Sequence, residues 1–153
     1  MKASSLLLCL AACLVTSVSS ADGQISATGS LFVTFDIGIN EGLAGVLYAR
    51  FVPDQVSAGQ FPLMATGSQP GPVRYISFEA PDLRLSSLVG REEADRLSRD
   101  LHRVLAVPVS LFLSDLRAKV ECDYPVYYAT LVSVKSIGTY RVASRNNDAP
   151  IGC

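Results

Sequence analysis

Histidine occurs once in the sequence, at position 102, so a histidine-built metal cluster is excluded by number and a nucleophilic triad would have to centre on His102. Neither a GxSxG elbow nor an HExxH box accompanies it. Two groups of carboxylates stand close in sequence. Glu92, Glu93 and Asp95 alternate with Arg91, Arg96 and Arg99 and read as solvated ion pairs, whereas general acid catalysis needs a carboxyl in an apolar pocket. Glu121 and Asp123 flank Cys122 and point the same way on a regular strand. With His102 and an arginine such as Arg141, they are the candidate catalytic residues of a small hydrolase. Gly-rich phosphate fingerprints of the GxGxxG or GxxxxGK[ST] type are absent, so no nucleotide cofactor is expected, and no metal.

The tyrosines form the denser cluster. Tyr124, Tyr127, Tyr128 and Tyr140 lie in or beside one stretch that also carries Lys135, Arg141 and Arg145. Tyrosine and arginine are enriched at protein-binding hot spots, so Tyr124, Tyr127, Tyr128, Tyr140, Arg141 and Arg145 are the candidate binding residues. The same rings also suit the cap of a small sheet's core. Glu121, Asp123 and Asp148 beside them, and a chain net charge of -1, remove the positive field that a nucleic-acid platform requires.

The cysteines and the N-terminus place this chemistry in a compartment. Residues 1–21 join Lys2 to an apolar run over Leu6–Val15 and end in Ser19 and Ala21, spaced as a cleavage site. The run is nearer ten residues than the roughly 20 needed to span a bilayer, so the segment reads as a secretory signal peptide followed by one globular domain over 22–153. Leu10-Ala11-Ala12-Cys13 also has the form of a lipoprotein cleavage box, the alternative in which Cys13 anchors the protein to a membrane. Loss of the leader removes Cys9 and Cys13 and leaves Cys122 and Cys153, expected to form a disulfide that fastens the C-terminus. The pairing of Cys153 with a second chain stays open at this point.

Elements able to hold these residues follow from periodicity. Leu31, Val33, Phe35, Ile37 and Ile39 alternate with polar neighbours as a strand, Phe32 being the exception on the outer face. Asn40-Glu41-Gly42 turns the chain into Gly45–Val52, which completes a hairpin. Four prolines and three glycines over 53–72 leave room for a short strand near Phe61–Ala65, and Val73–Glu79 is the next strand. A helix is expected over Arg91–Leu105, introduced by Ser86, Ser87 and Gly90, with Ala94, Leu97, Leu101, Val104 and Leu105 on its inner stripe. Val109–Leu113 reads equally as a buried strand or as the start of a second helix. Tyr124–Val134 and Thr139–Ser144, joined by Lys135–Gly138, read as a second hairpin.

Together these predict an α+β domain, an antiparallel sheet of five to seven strands with one main helix packed on a face, the alternative being an all-β sandwich. The expected function is that of a small secreted, non-enzymatic binding or inhibitory protein, such as a host-directed effector, whose partner is another protein. A secreted hydrolase and a structural component of a surface assembly are the alternatives.

Overall fold

The computed structural model describes residues 23–36, 45–66, 69–71, 73–78, 82–121 and 124–144. The expected signal peptide and the expected Asn40-Glu41-Gly42 turn, together with Cys122, Asp123, Arg145 and Cys153, lie outside them, as do the side chains of Glu121 and Tyr124. The chain forms β1 (Ile25–Asp36), β2 (Val46–Pro53), α1 (Gln55–Ala58), β3 (Met64–Thr66), β4 (Gln69–Gly71), β5 (Ile76–Phe78), α2 (Asp82–Val89), α3 (Arg91–Arg99), β6 (Arg103–Glu121), β7 (Tyr124–Ser136) and β8 (Arg141–Ser144).

Strands β1 and β2 form the expected antiparallel pair, with Leu31 opposite Phe51. Strand β1 also pairs antiparallel with β6, from Ile25 opposite Leu113 to Val33 opposite Leu105. The order β1-β2-β5-β7-β6 therefore returns to β1, and the sheet curls into a ring. Odd-numbered residues of β1, and of β6 from Leu105 to Leu113, point inward, and Leu31, Val33, Leu105, Val109 and Leu113 are fully buried there with Phe51 and Ile76. Gly29 is required on this inner row: a Cβ there would stand 2.2 Å from the Val52 carbonyl oxygen, on main chain that cannot yield. Phe32 departs from simple alternation because the outer side of this wall is covered as well, by Val104, Ala106, Ala143 and Val52.

Three expectations are corrected. The sheet is mixed rather than purely antiparallel, since Ile76–Phe78 run parallel to Tyr127–Ala129. A parallel pair needs a long crossover, which α2, α3 and β6 supply. The helix expected over Arg91–Leu105 ends at Arg99, because Asp100 turns extended and β6 starts at Arg103; Ser86 and Ser87 lie inside α2, parted from α3 by Gly90 at φ 81°. Val104 and Leu105 fit a helical stripe and a strand buried on both faces equally well, and the second prevails. Finally, β8 pairs with β6 rather than with β7, so residues 137–140 interrupt a line of strand along one edge of β6 and do not close a hairpin.

Val109–Leu113 resolves as the middle of β6, which carries irregularities between Phe112 and Leu113 and between Ser114 and Arg117. Asp115 takes the left-handed conformation at the second, φ 53°, a role that aspartate tolerates better than most residues. Because β5 is only three residues long, α2 fills the wall beside it, burying Leu85 and packing Leu88 and Val89 on the core. Short α1 is fastened to β1 through Asp54, whose carboxylate accepts from the Thr28 hydroxyl and, at 2.7 Å, from the Ser57 amide. The Thr28 hydroxyl and the Ser57 amide hold that carboxyl below the usual carboxylate range.

Candidate functional site

The outward residues of β2, β5, β7 and β6 assemble a row of tyrosines and cations. Alternation in Val46–Pro53 turns Tyr48 and Arg50 outward, and the same period turns Tyr75 and Ser77 outward at β5. Register then sets Ser77 beside Tyr128, and Tyr128 beside Arg117. Arg50, only 3% exposed, lies with its guanidinium carbon 4.5 Å from the Tyr75 ring centroid and 5.6 Å from that of Tyr48. Its Nε donates to the Tyr48 hydroxyl at 3.4 Å, and that hydroxyl shares a 3.0 Å hydrogen bond with Ser77. Further along, the Lys119 ammonium sits 4.4 Å from the centroid of the Tyr128 ring. Cations over ring faces gain from the aromatic quadrupole, and guanidinium suits this stacking because it is planar and weakly hydrated. Arg74, Arg117 and Lys119 are exposed at the margin, so the row combines half-buried aromatics with solvent-facing positive charge.

The residues proposed from sequence are distributed over several places. Tyr128 belongs to this row. Tyr127 points the other way, into the core, and donates to the Pro62 carbonyl at 3.2 Å. Tyr140 and Arg141 are exposed at β8, beyond the residues that β7 pairs with. His102 lies exposed in the turn before β6, where its main-chain N–H donates to Asp100 at 3.1 Å, while Glu121 closes the opposite end of that strand. The histidine and the carboxylate are thus separated by the full length of β6. Among the described residues no cluster of three or more histidine, cysteine or acidic side chains has the proximity to hold a metal ion.

Two polar features escaped the sequence reading. Tyr48, Arg50 and Tyr75 carried a signal, the outward half of two alternating runs, but their union depends on β2 lying beside β5. Glu93 reads from sequence as a solvated carboxylate, yet its side chain is 7% exposed and receives Arg96 at 2.6 Å and Arg103 at 3.0 Å. Burial pushes its carboxyl up, and the Arg103 hydrogen bond, the charges of Arg103 and Arg96 and the Tyr140 hydroxyl outweigh that and hold it below the usual range. The expected Glu92–Arg96 pair is present beside it and more exposed. Arg103 Nε is buried without a hydrogen-bond partner, so this network ties α3 to the start of β6 with one donor left over.

Compared with protein-family models, curated proteins and solved structures, the chain matches none.

Proposed function

We propose that the chain is a small secreted, non-enzymatic binding protein, and that it meets another protein through the tyrosine and cation row across β5, β7 and β6. The observation that carries this reading is the Lys119–Tyr128 pair, with Arg117 opposite Tyr128 and Tyr75 stacked on Arg50. Half-buried tyrosines offer a large contact area at little entropic cost, and the cations beside them favour an acidic partner segment. Secretion is supported by the leader-like residues 1–21.

The test is a titration of the isotopically labelled protein with a glutamate-rich peptide and, separately, a lysine-rich one. Binding of the first alone, with shifts centred on Tyr75, Lys119 and Tyr128 and a loss of about tenfold in Lys119→Glu, is expected. Equal response to both peptides, or an unchanged affinity in Lys119→Glu, would overturn the assignment of this face.

A further inference from the structure

Strand β7 is paired unequally along its two edges. One edge meets β6 from Tyr124 to Ser136. The other meets β5 only over Tyr127–Ala129, and among the described residues no strand continues beside Thr130–Ser136. Helix α2 stands there instead, and between the two runs an open groove of about 500 Å³ lined by Arg84, Ser87, Val132, Ser133 and Val134.

The Arg84 Nε donates to the Val132 carbonyl at 3.0 Å. This bond takes up a main-chain acceptor that a neighbouring strand would otherwise use, and it fixes the plane of the guanidinium against the groove. The four N–H groups on the two terminal nitrogens make no hydrogen bond to described residues, and the side chain is exposed. A planar fork held at one corner, with its two remaining nitrogens presented to solvent, matches a carboxylate better than it matches a neutral group. Beside it, Val132 and Val134 are half-buried and offer an apolar floor, and the exposed Ser133 adds a hydroxyl.

We infer that this groove receives the C-terminal end of a partner peptide, its terminal carboxylate on Arg84 and its last apolar side chain on Val132 and Val134. Size favours a peptide over a free small acid, because a volume of about 500 Å³ falls in the range that holds drug-sized ligands and exceeds the needs of one carboxyl group. Charge complementarity selects the end of the chain: an acid is stabilised here where an amide is not. This site shares no residue with the tyrosine and cation row, so each reading stands or falls separately.

The full chain is titrated by NMR with three probes: a tetrapeptide ending in Val-Val with a free carboxylate, the same peptide amidated, and isovalerate. Saturable shifts at Ser87, Ser133 and Val134 are expected for the free acid, with the amide about tenfold weaker. Arg84→Gln lowers affinity by about the same factor and Arg84→Lys by less, since lysine keeps the charge and loses the fork. The lysine variant also covers the case in which the glutamine variant fails to fold. Lys119→Glu leaves this binding unchanged. Equal affinity for acid and amide, absence of saturable shifts, or isovalerate binding as tightly as the peptide would overturn the proposal; the last outcome would reassign the groove to a free acid.

Discussion

The two sides of the barrel are built to different rules. On the β1–β6 side, long ladders run from Ile25 to Val33 on one edge of β1 and from Gly29 to Asp36 on the other, and both faces of the strands are used for packing. On the β5 side, Arg50 and Phe51 pair with Ser77 and Ile76, three residues pair with β7, and a helix completes the wall. The outward positions there are tyrosine, arginine, serine and lysine rather than phenylalanine, valine and alanine. Where the ladder is long, the sheet covers its own surface with apolar side chains; where it is short, cations on ring faces and a helix side chain on a main-chain acceptor take that place.

The largest effects fall on the long-ladder side. Phe51 is fully buried, so Phe51→Ala is expected to cost about 3–5 kcal/mol in urea unfolding, through lost transfer energy and a residual cavity. Its counterpart on the open edge, Ser133→Ala, should change stability by no more than about 0.5 kcal/mol. A loss below about 1 kcal/mol for Phe51→Ala would remove the distinction between the two walls. Gly29→Ala comes next, at about 1–3 kcal/mol, because the added Cβ meets Val52 carbonyl oxygen at 2.2 Å and Pro53 Cα at 2.9 Å. A fully tolerated alanine there would mean that β1 and β2 separate more easily than the double pairing of β1 implies.

These same walls differed in how far they could be read from sequence. Residues 31–36 and 45–52 announce their strands because one face is apolar and the period is two. The helix at 91–99 was legible from Gly90 and the apolar stripe through Ala94 and Leu97, but its end was not: Val104 and Leu105 suit both periods, and only the pairing of β6 with β1 and β8 selects the strand. Topology was the larger loss. Nothing local says that β8 returns to β6 or that β5 lies parallel to β7, since both depend on contacts distant in sequence. The tyrosine and cation row followed suit: Tyr128 was legible from composition, whereas Tyr48, Arg50 and Tyr75 became neighbours only through that topology. Tyr127, one residue from Tyr128, shows the limit of composition, since the pleat sends it to the core.

Glu93 sits between the two regimes, a charge buried where α3 meets the long-ladder side. Its folded-state carboxyl titrates below the unfolded value, so the stabilisation is present above the unfolded pKa, about 4.3, and is lost as pH falls through the folded one. Glu93→Gln is expected to cost about 1–2 kcal/mol at pH 7, the half-exposed Arg96 limiting the effect, and to flatten the acid limb of the stability profile below about pH 4. Urea midpoints for both proteins between pH 3 and pH 7 would check this. Parallel acid limbs would show that other carboxylates carry the dependence.

The smallest effect is the most informative about the outer row. Lys119 is exposed and its ammonium stacks on Tyr128, so Lys119→Ala should cost about 0.5 kcal/mol, the value of a solvated cation–π pair. A double-mutant cycle with Tyr128→Leu isolates that coupling from the packing of the ring on its neighbours. Coupling near zero would make Lys119 an ordinary surface charge, and the contrast with the aliphatic outer face around Phe32 would then be one of polarity alone. Coupling near the expected value would mean that the ring and the cation are already arranged before a partner arrives. The ordering cost of those side chains would be met within the fold, and Lys119→Ala would weaken an acidic partner by more than it weakens the barrel.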